Sequence, residues 1–176
     1  MVLDNKIEEL FSEDRINRRI KELGEVFTNL YDITDEVVVI CLLRGGFIFT
    51  ADLVRNIKRN VLIDFMSVSS YGNETTSSGQ LKIEKDISVD IANKHVIIID
   101  DIIDTGLTMK EIKELLLKRN PKSIKTCCLL DKEEGRTVNM SVDYCGFKCP
   151  NKYVIGYGMD SCNSYRNLPF IGVLDV

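Results

Sequence analysis

The stretch Val96-Ile97-Ile98-Ile99-Asp100-Asp101-Ile102-Ile103-Asp104-Thr105-Gly106-Leu107-Thr108 governs the reading of the whole chain. Its first four residues are β-branched and apolar, as in a strand buried on both faces, and they deliver two adjacent carboxylates at the strand's C-terminal end. In an open α/β sheet that end is where ligands bind. A third carboxylate, Asp104, follows within one turn, and Thr105-Gly106-Leu107-Thr108 then opens a helix. Small residues, two hydroxyls and the unpaired N–H groups of a helix N-terminus form a phosphate cradle. Anion-binding donors beside carboxylates suit a ligand that is phosphorylated and also rich in hydroxyls or metal-bound. A sugar phosphate meets both conditions.

Working outward, Glu36 to Leu43 (EVVVICLL) is a second apolar run of the same kind, broken at Arg44-Gly45-Gly46. A helix over Phe47 to Arg59 and a strand around Val61 to Val68 are predicted after it. On the C-terminal side, Leu107 to Lys118 reads as a helix stopped by Asn120-Pro121, and Ser123 to Leu130 as another strand. Near the start, Ile16, Ile20, Leu23, Val26 or Phe27, and Leu30 recur at three- and four-residue steps behind a Ser12 cap, which predicts an amphipathic helix. Strands alternating with helices of this length imply an α/β fold with a mainly parallel sheet covered on both sides. With no internal repeat or linker, residues 1–176 are expected to form a single domain. The segment from Ser69 to Gln80 (SSYGNETTSSGQ) departs from this rhythm and can be a long hairpin tip or a mobile lid. Tyr71, an aromatic that could cover a reacting centre, favours the lid.

Composition narrows the classes. The 176 residues carry 23 Lys+Arg against 27 Asp+Glu, a net charge of −4, with 44% hydrophobic and 28% charged residues. Those values are globular and exclude disordered, collagen-like and coiled-coil chains. The longest uncharged stretch, Phe65 to Asn73, is far short of the ~20 apolar residues that span a bilayer, so no membrane association is expected. Met1-Val2-Leu3-Asp4-Asn5-Lys6 lacks a basic start and apolar block, so no secretory signal is expected. Cys41, Cys127, Cys128, Cys145, Cys149 and Cys162 show no C-x-x-C spacing and read as reduced, mostly buried thiols, which points to the cytoplasm. His95 is the only histidine, so acid–base work falls to carboxylates, Lys or Tyr. A pI near 5.1 and the lack of a basic run argue against nucleic-acid partners.

The run of four hydrophobics, two acids, two hydrophobics and D-T-G-x-T resembles the phosphoribosyl-pyrophosphate motif of type I phosphoribosyltransferases, and further matches narrow the resemblance to the hypoxanthine-guanine phosphoribosyltransferases. Leu43-Arg44-Gly45-Gly46 with Phe47 and Ala51-Asp52-Leu53 resembles that family's pyrophosphate loop, and Ser70-Tyr71 its flexible loop. Leu129-Leu130-Asp131-Lys132 is similar to its purine-contacting strand. Pro150 to Asp160 (PNKYVIGYGMD), with Tyr165-Arg166-Asn167-Leu168, is similar to its base and metal region. The resemblance runs from about residue 10 to the C-terminus. It implies a type I phosphoribosyltransferase fold: a twisted, mainly parallel sheet flanked by helices, with a small hood from the N- and C-terminal segments.

The resemblance also implies an enzyme of purine salvage, and a role for each residue. Asp104, Thr105, Gly106, Leu107 and Thr108 would grip the 5′-phosphate. Asp100 and Asp101 would accept hydrogen bonds from the ribose hydroxyls and help place Mg2+, a hard ion suited to carboxylate and diphosphate oxygens. Asp104 would be the general base for the purine N7 proton. Lys132 would donate to the 6-oxo group, Tyr153 would stack on the ring, and the Val154 backbone would read its edge. Asp160 would sit at the base and coordinate a second Mg2+. Arg44, Gly45, Ser70, Tyr71 and Arg166 would serve the pyrophosphate, and the bond between Leu43 and Arg44 would be cis. Asp100-Asp101 stands where many relatives have Glu-Asp, shortening one arm without changing charge. Asp160 is followed by Ser161-Cys162-Asn163 instead of aromatic and acidic residues.

Two other readings share parts of this pattern. A regulator that binds phosphoribosyl pyrophosphate would add a DNA-binding segment or basic face, and a receiver domain would not need the D-T-G-x-T cradle. The expected partners are phosphoribosyl pyrophosphate and a 6-oxopurine, in a homodimer or homotetramer.

Overall fold

The strand β1 (Ile7–Phe11) leads into α1 (Glu13–Asn29), which starts where the sequence provides a cap: the Ser12 hydroxyl accepts from the Arg15 N–H at 3.4 Å, and Glu13 and Asp14 lie in the first turn. Its buried stripe is Ile16, Ile20, Leu23 and Phe27, as the three- and four-residue spacing requires. There follow β2 (Val37–Leu43), α2 (Phe47–Asn56), β3 (Leu62–Ser70), β4 (Leu81–Lys85), β5 (His95–Ile103), α3 (Leu107–Leu117) and β6 (Ser123–Asp131). A 3-10 turn at Glu133–Gly135 leads to β7 (Tyr144–Lys148), β8 (Val154–Ile155) and β9 (Ile171–Leu174). This computed structural model describes residues 7–70 and 81–174.

Six strands form one sheet in the order β4-β3-β2-β5-β6-β7, antiparallel only between β3 and β4. The central strands are apolar on both faces because helices cover both. Ile16, Phe27, Phe49 and Leu53 pack on the side of Val39, Ile97 and Leu129, whereas Met109, Ile112 and Leu116 pack on the side of Ile40, Ile98 and Cys128. Each such side chain contributes on the order of 1.5–3 kcal/mol by leaving water. A second sheet, β1-β9-β8, joins the two ends of the chain into the hood, and stacking of Phe11 on Phe147, with centroids 4.4 Å apart, ties it to the main sheet. Burial pushes the Cys41 thiol up to about 11 and the Cys127 thiol further, so both stay protonated.

Three boundaries differ from the sequence reading. α2 ends at Asn56, not Arg59: Ile57 turns extended, and the Arg59 guanidinium donates to the carbonyls of Tyr31, Asp32 and Asp35. β5 does not stop at the acidic pair, because pairing with β6 continues through Asp100↔Cys128 to Ile103↔Asp131. Ser69 and Ser70 belong to β3, where they pair with Lys82 and Leu81, so they are not part of the loop. The remainder of the expected lid, including Tyr71, lies outside the described residues. Among the described residues, no helix is long and apolar enough to cross a membrane.

Candidate active site

The carboxylates converge where the parallel strands end. Asp100 and Asp101 are consecutive on a strand and therefore face opposite ways. Asp100 opens onto a cleft of about 150 Å³ with Thr105, Gly106 and Thr108, while Asp101 opens onto one of about 240 Å³ with Lys132, Tyr153, Val154 and Asp160. Asp104 lines both clefts. Each acid of the pair accepts the N–H of the residue after it, Asp101 to Asp100 and Ile102 to Asp101, at 2.9 Å. Burial, reinforced by the charge of Asp101, pushes the Asp100 carboxyl well above the usual carboxylate range.

The first cleft gathers the residues that the sequence reading assigned to a phosphate cradle. Gly106 caps α3 with φ of 81°, a left-handed conformation that side chains disfavour, and the first helical bond runs from the Lys110 N–H to the Gly106 carbonyl at 3.0 Å. The Thr105 hydroxyl accepts the Leu107 N–H at 3.4 Å. The early N–H groups of a helix lack intrahelical partners and carry its positive end, so this cleft suits a phosphate. Leu107 contributes backbone; its side chain is exposed.

The second cleft is walled by charged and aromatic groups. Lys132 is buried, its N–H donates to the Ile103 carbonyl at 2.9 Å, and its ammonium lies 3.6 Å from Asp104 Oδ2. Tyr153 is half-exposed, with its hydroxyl donating to the Asp160 carbonyl at 3.3 Å, and Val154 is held in β8 opposite Val173. Asp160 is engaged on both oxygens, by the Arg166 guanidinium at 2.7 Å and the Asn163 N–H at 2.7 Å. Arg166 also donates to the Gly158 carbonyl at 2.7 Å.

Arg44 and Gly45 stand beside these clefts. The Leu43–Arg44 peptide is cis, Arg44 is exposed, and Gly45 approaches the Asp101 carboxylate so closely that a Cβ there would overlap it. Gly158 packs in turn against the Gly45 carbonyl. Ser70 ends β3, where its backbone pairs with Leu81. Thus the structure gathers Asp100, Asp101, Asp104 to Thr108, Lys132, Tyr153, Val154 and Asp160 around two adjoining clefts, with Gly45 against Asp101 and Arg166 on Asp160. Sequence reasoning missed Ile102 and Met159 as lining residues, and also the hydrogen bond from the Tyr157 hydroxyl to Asp52, which fastens the hood to α2. The only available signal was that Met159 and Tyr157 lie inside the GYGMD stretch.

Known proteins share this sequence pattern and fold. The family model described as "Phosphoribosyl transferase domain" matches residues 8–161. The hypoxanthine-guanine phosphoribosyltransferase of Aquifex aeolicus is 48% identical over 170 residues, covering 97% of this chain and 96% of its own. The hypoxanthine phosphoribosyltransferase of Buchnera aphidicola is 46% identical over 171 residues, covering 97% of each chain. A crystal structure of a hypoxanthine-guanine phosphoribosyltransferase from Bacillus anthracis superposes with a TM-score of 0.92 at 44% identity, covering 98% of this chain and 100% of that one. With this coverage and a shared α/β architecture, the chain belongs to the phosphoribosyltransferase family, in its hypoxanthine-guanine phosphoribosyltransferase branch.

Proposed function

We infer that this protein transfers the 5-phosphoribosyl group of phosphoribosyl pyrophosphate to N9 of hypoxanthine, guanine or both, giving the nucleoside 5′-monophosphate and pyrophosphate. The observation that carries this reading is the position of Asp104, which lines both clefts and faces Lys132 at 3.6 Å. A ribose 5-phosphate seated in the cradle would present C1 toward the second cleft. As the bond from C1 to the pyrophosphate oxygen breaks and the bond to N9 forms, Asp104 takes the purine N7 proton. Lys132 donates to the 6-oxo group and rejects adenine, whose 6-amino group would confront it with another donor. Tyr153 offers a ring face and Val154 its backbone to the base. Arg44, Gly45 and Arg166 serve the pyrophosphate, and Ser70 and Tyr71 are assigned to the same side by the family resemblance.

The acidic residues fit Mg2+ in a particular way. Among the described residues, no group of three or more His, Cys, Asp or Glu could hold an ion unaided. Mg2+ favours one or two carboxylates plus substrate phosphates and water, and Asp100 or Asp101 on one side and Asp160 on the other meet that demand. Bound there, Mg2+ would neutralise charge on the departing diphosphate. We further propose a single domain that works in the cytoplasm as a homodimer or homotetramer, with small-molecule substrates and no nucleic acid. Ile63 and Phe65, side by side on one face of β3, and Phe47 at the start of α2 are each 40–43% exposed and offer apolar surface for self-association. Light scattering tests the assembly, and nucleotide formation from phosphoribosyl pyrophosphate and hypoxanthine tests the reaction.

A further inference from the structure

The segment following β6 has a second contact with the cradle, away from Lys132. The Thr137 N–H donates to the Thr105 carbonyl at 3.1 Å, and the Arg136 side chain, only 12% exposed, lies against Gly106. A Cβ on Gly106 would come within 2.8 Å of Arg136 Cδ and 2.9 Å of its Nη1, so the glycine admits the guanidinium as well as the left-handed turn. Nη2 is ion-paired with Asp131, itself buried and held by Lys148 at 2.9 Å. Nη1 is buried and, among the described residues, has no hydrogen-bond partner.

A charged N–H removed from water without an acceptor is costly, and native proteins keep few of them. Asp131 pairs the guanidinium through Nη2 only; no acceptor among the described residues reaches Nη1, whereas an anion in the adjoining cradle would lower the cost through its charge. The segment Asp104 to Thr108 contains no Lys or Arg, so the cradle's own residues supply only backbone and hydroxyl donors. We propose that Arg136 is a positioning residue for the 5′-phosphate: it braces the Gly106 turn from behind and adds a fixed positive charge to the cradle. Because Asp131 precedes Lys132, the same ion pair joins the phosphate side of the site to its purine side. This inference rests on the functional reading above.

Competitive inhibition of the transfer reaction by inosine 5′-monophosphate and by inosine, which differ only in the phosphate, tests it. Arg136→Met should weaken the nucleotide about tenfold or more and the nucleoside less than about threefold, and Arg136→Lys should show a smaller loss with the same selectivity. Parallel losses for both ligands would reduce Arg136 to a structural prop, and unchanged affinities would remove it from the site. If Arg136→Met does not fold, Arg136→Lys decides by the same ratio. A wild-type protein that formed no nucleotide and bound neither ligand would overturn the functional reading, and this inference with it.

Discussion

The Lys132 ammonium stands 3.6 Å from the Asp104 carboxylate, although the two residues come from different strand ends and lie 28 positions apart in the chain. Lys132 is held at the end of β6 by its N–H bond to the Ile103 carbonyl, and Asp104 is the first residue after β5. Pairing of β5 with β6 up to Ile103↔Asp131 therefore fixes one against the other. On the proposed reading, a proton acceptor and a 6-oxo donor thereby stand together at the C-terminal end of the sheet.

If Asp104 is the base, Asp104→Asn should lower kcat by roughly 10²–10⁴-fold while phosphoribosyl pyrophosphate affinity stays within a few-fold. Single-turnover kinetics with a separate binding titration distinguishes the two effects. A collapse of binding with little loss in the chemical step would assign the residue to ligand placement.

Lys132→Met keeps an aliphatic stem in the buried slot and removes the donor. If Lys132 reads the 6-position, the ratio of kcat/KM for hypoxanthine over adenine should drop by about tenfold or more, because adenine cannot satisfy that donor. An unchanged ratio would place purine selection elsewhere.

Acid stability should depend on Asp64, far from the clefts in the chain and buried on β3. Burial alone would raise its pKa, but the N–H groups of Val89, Phe65 and Ser88 and the Lys85 ammonium outweigh burial and hold the carboxyl well below the usual range. A depressed folded value means that the unfolded chain takes up the proton first, so the contribution is present at neutral pH and is lost as pH falls below about 4. Asp64→Asn should cost about 1–3 kcal/mol at pH 7 and flatten the loss of stability below pH 4, as measured by denaturant titration across pH. A variant with the same acid profile as the parent would disprove the assignment.

Much of the fold was legible in the sequence because its central strands are buried on both faces and thus read as continuous apolar runs. Edge and hood strands were not: β4 (LKIEK) is mostly exposed and mixed in character, and β8 has only two residues. Their pairing depends on distant partners, such as Ile7 with Leu174, which local pattern cannot reveal. In the site, Asp100 to Thr108 could be read directly, since cradle and carboxylates are contiguous. The opposite orientation of Asp100 and Asp101 became visible only once the strand was known to continue through them. The contact of Gly45 with Asp101, and that of Arg136 with Gly106, required the three-dimensional arrangement.

The proposed role of Mg2+ rests on the charge of the leaving group. Chelation of divalent cations should abolish turnover, and added Mg2+ should restore it, because diphosphate departs with more charge than Arg44 and Arg166 can offset. Full activity in excess chelator would contradict the role given to the carboxylates.

The most direct test of the account is to mix the protein with labelled phosphoribosyl pyrophosphate, Mg2+ and hypoxanthine and to measure nucleotide and pyrophosphate together. Inosine 5′-monophosphate and pyrophosphate should appear in equal amounts, with no product from adenine at comparable concentration. Binding of phosphoribosyl pyrophosphate without nucleotide formation would contradict it, and would leave a ligand-binding protein on an enzyme's fold.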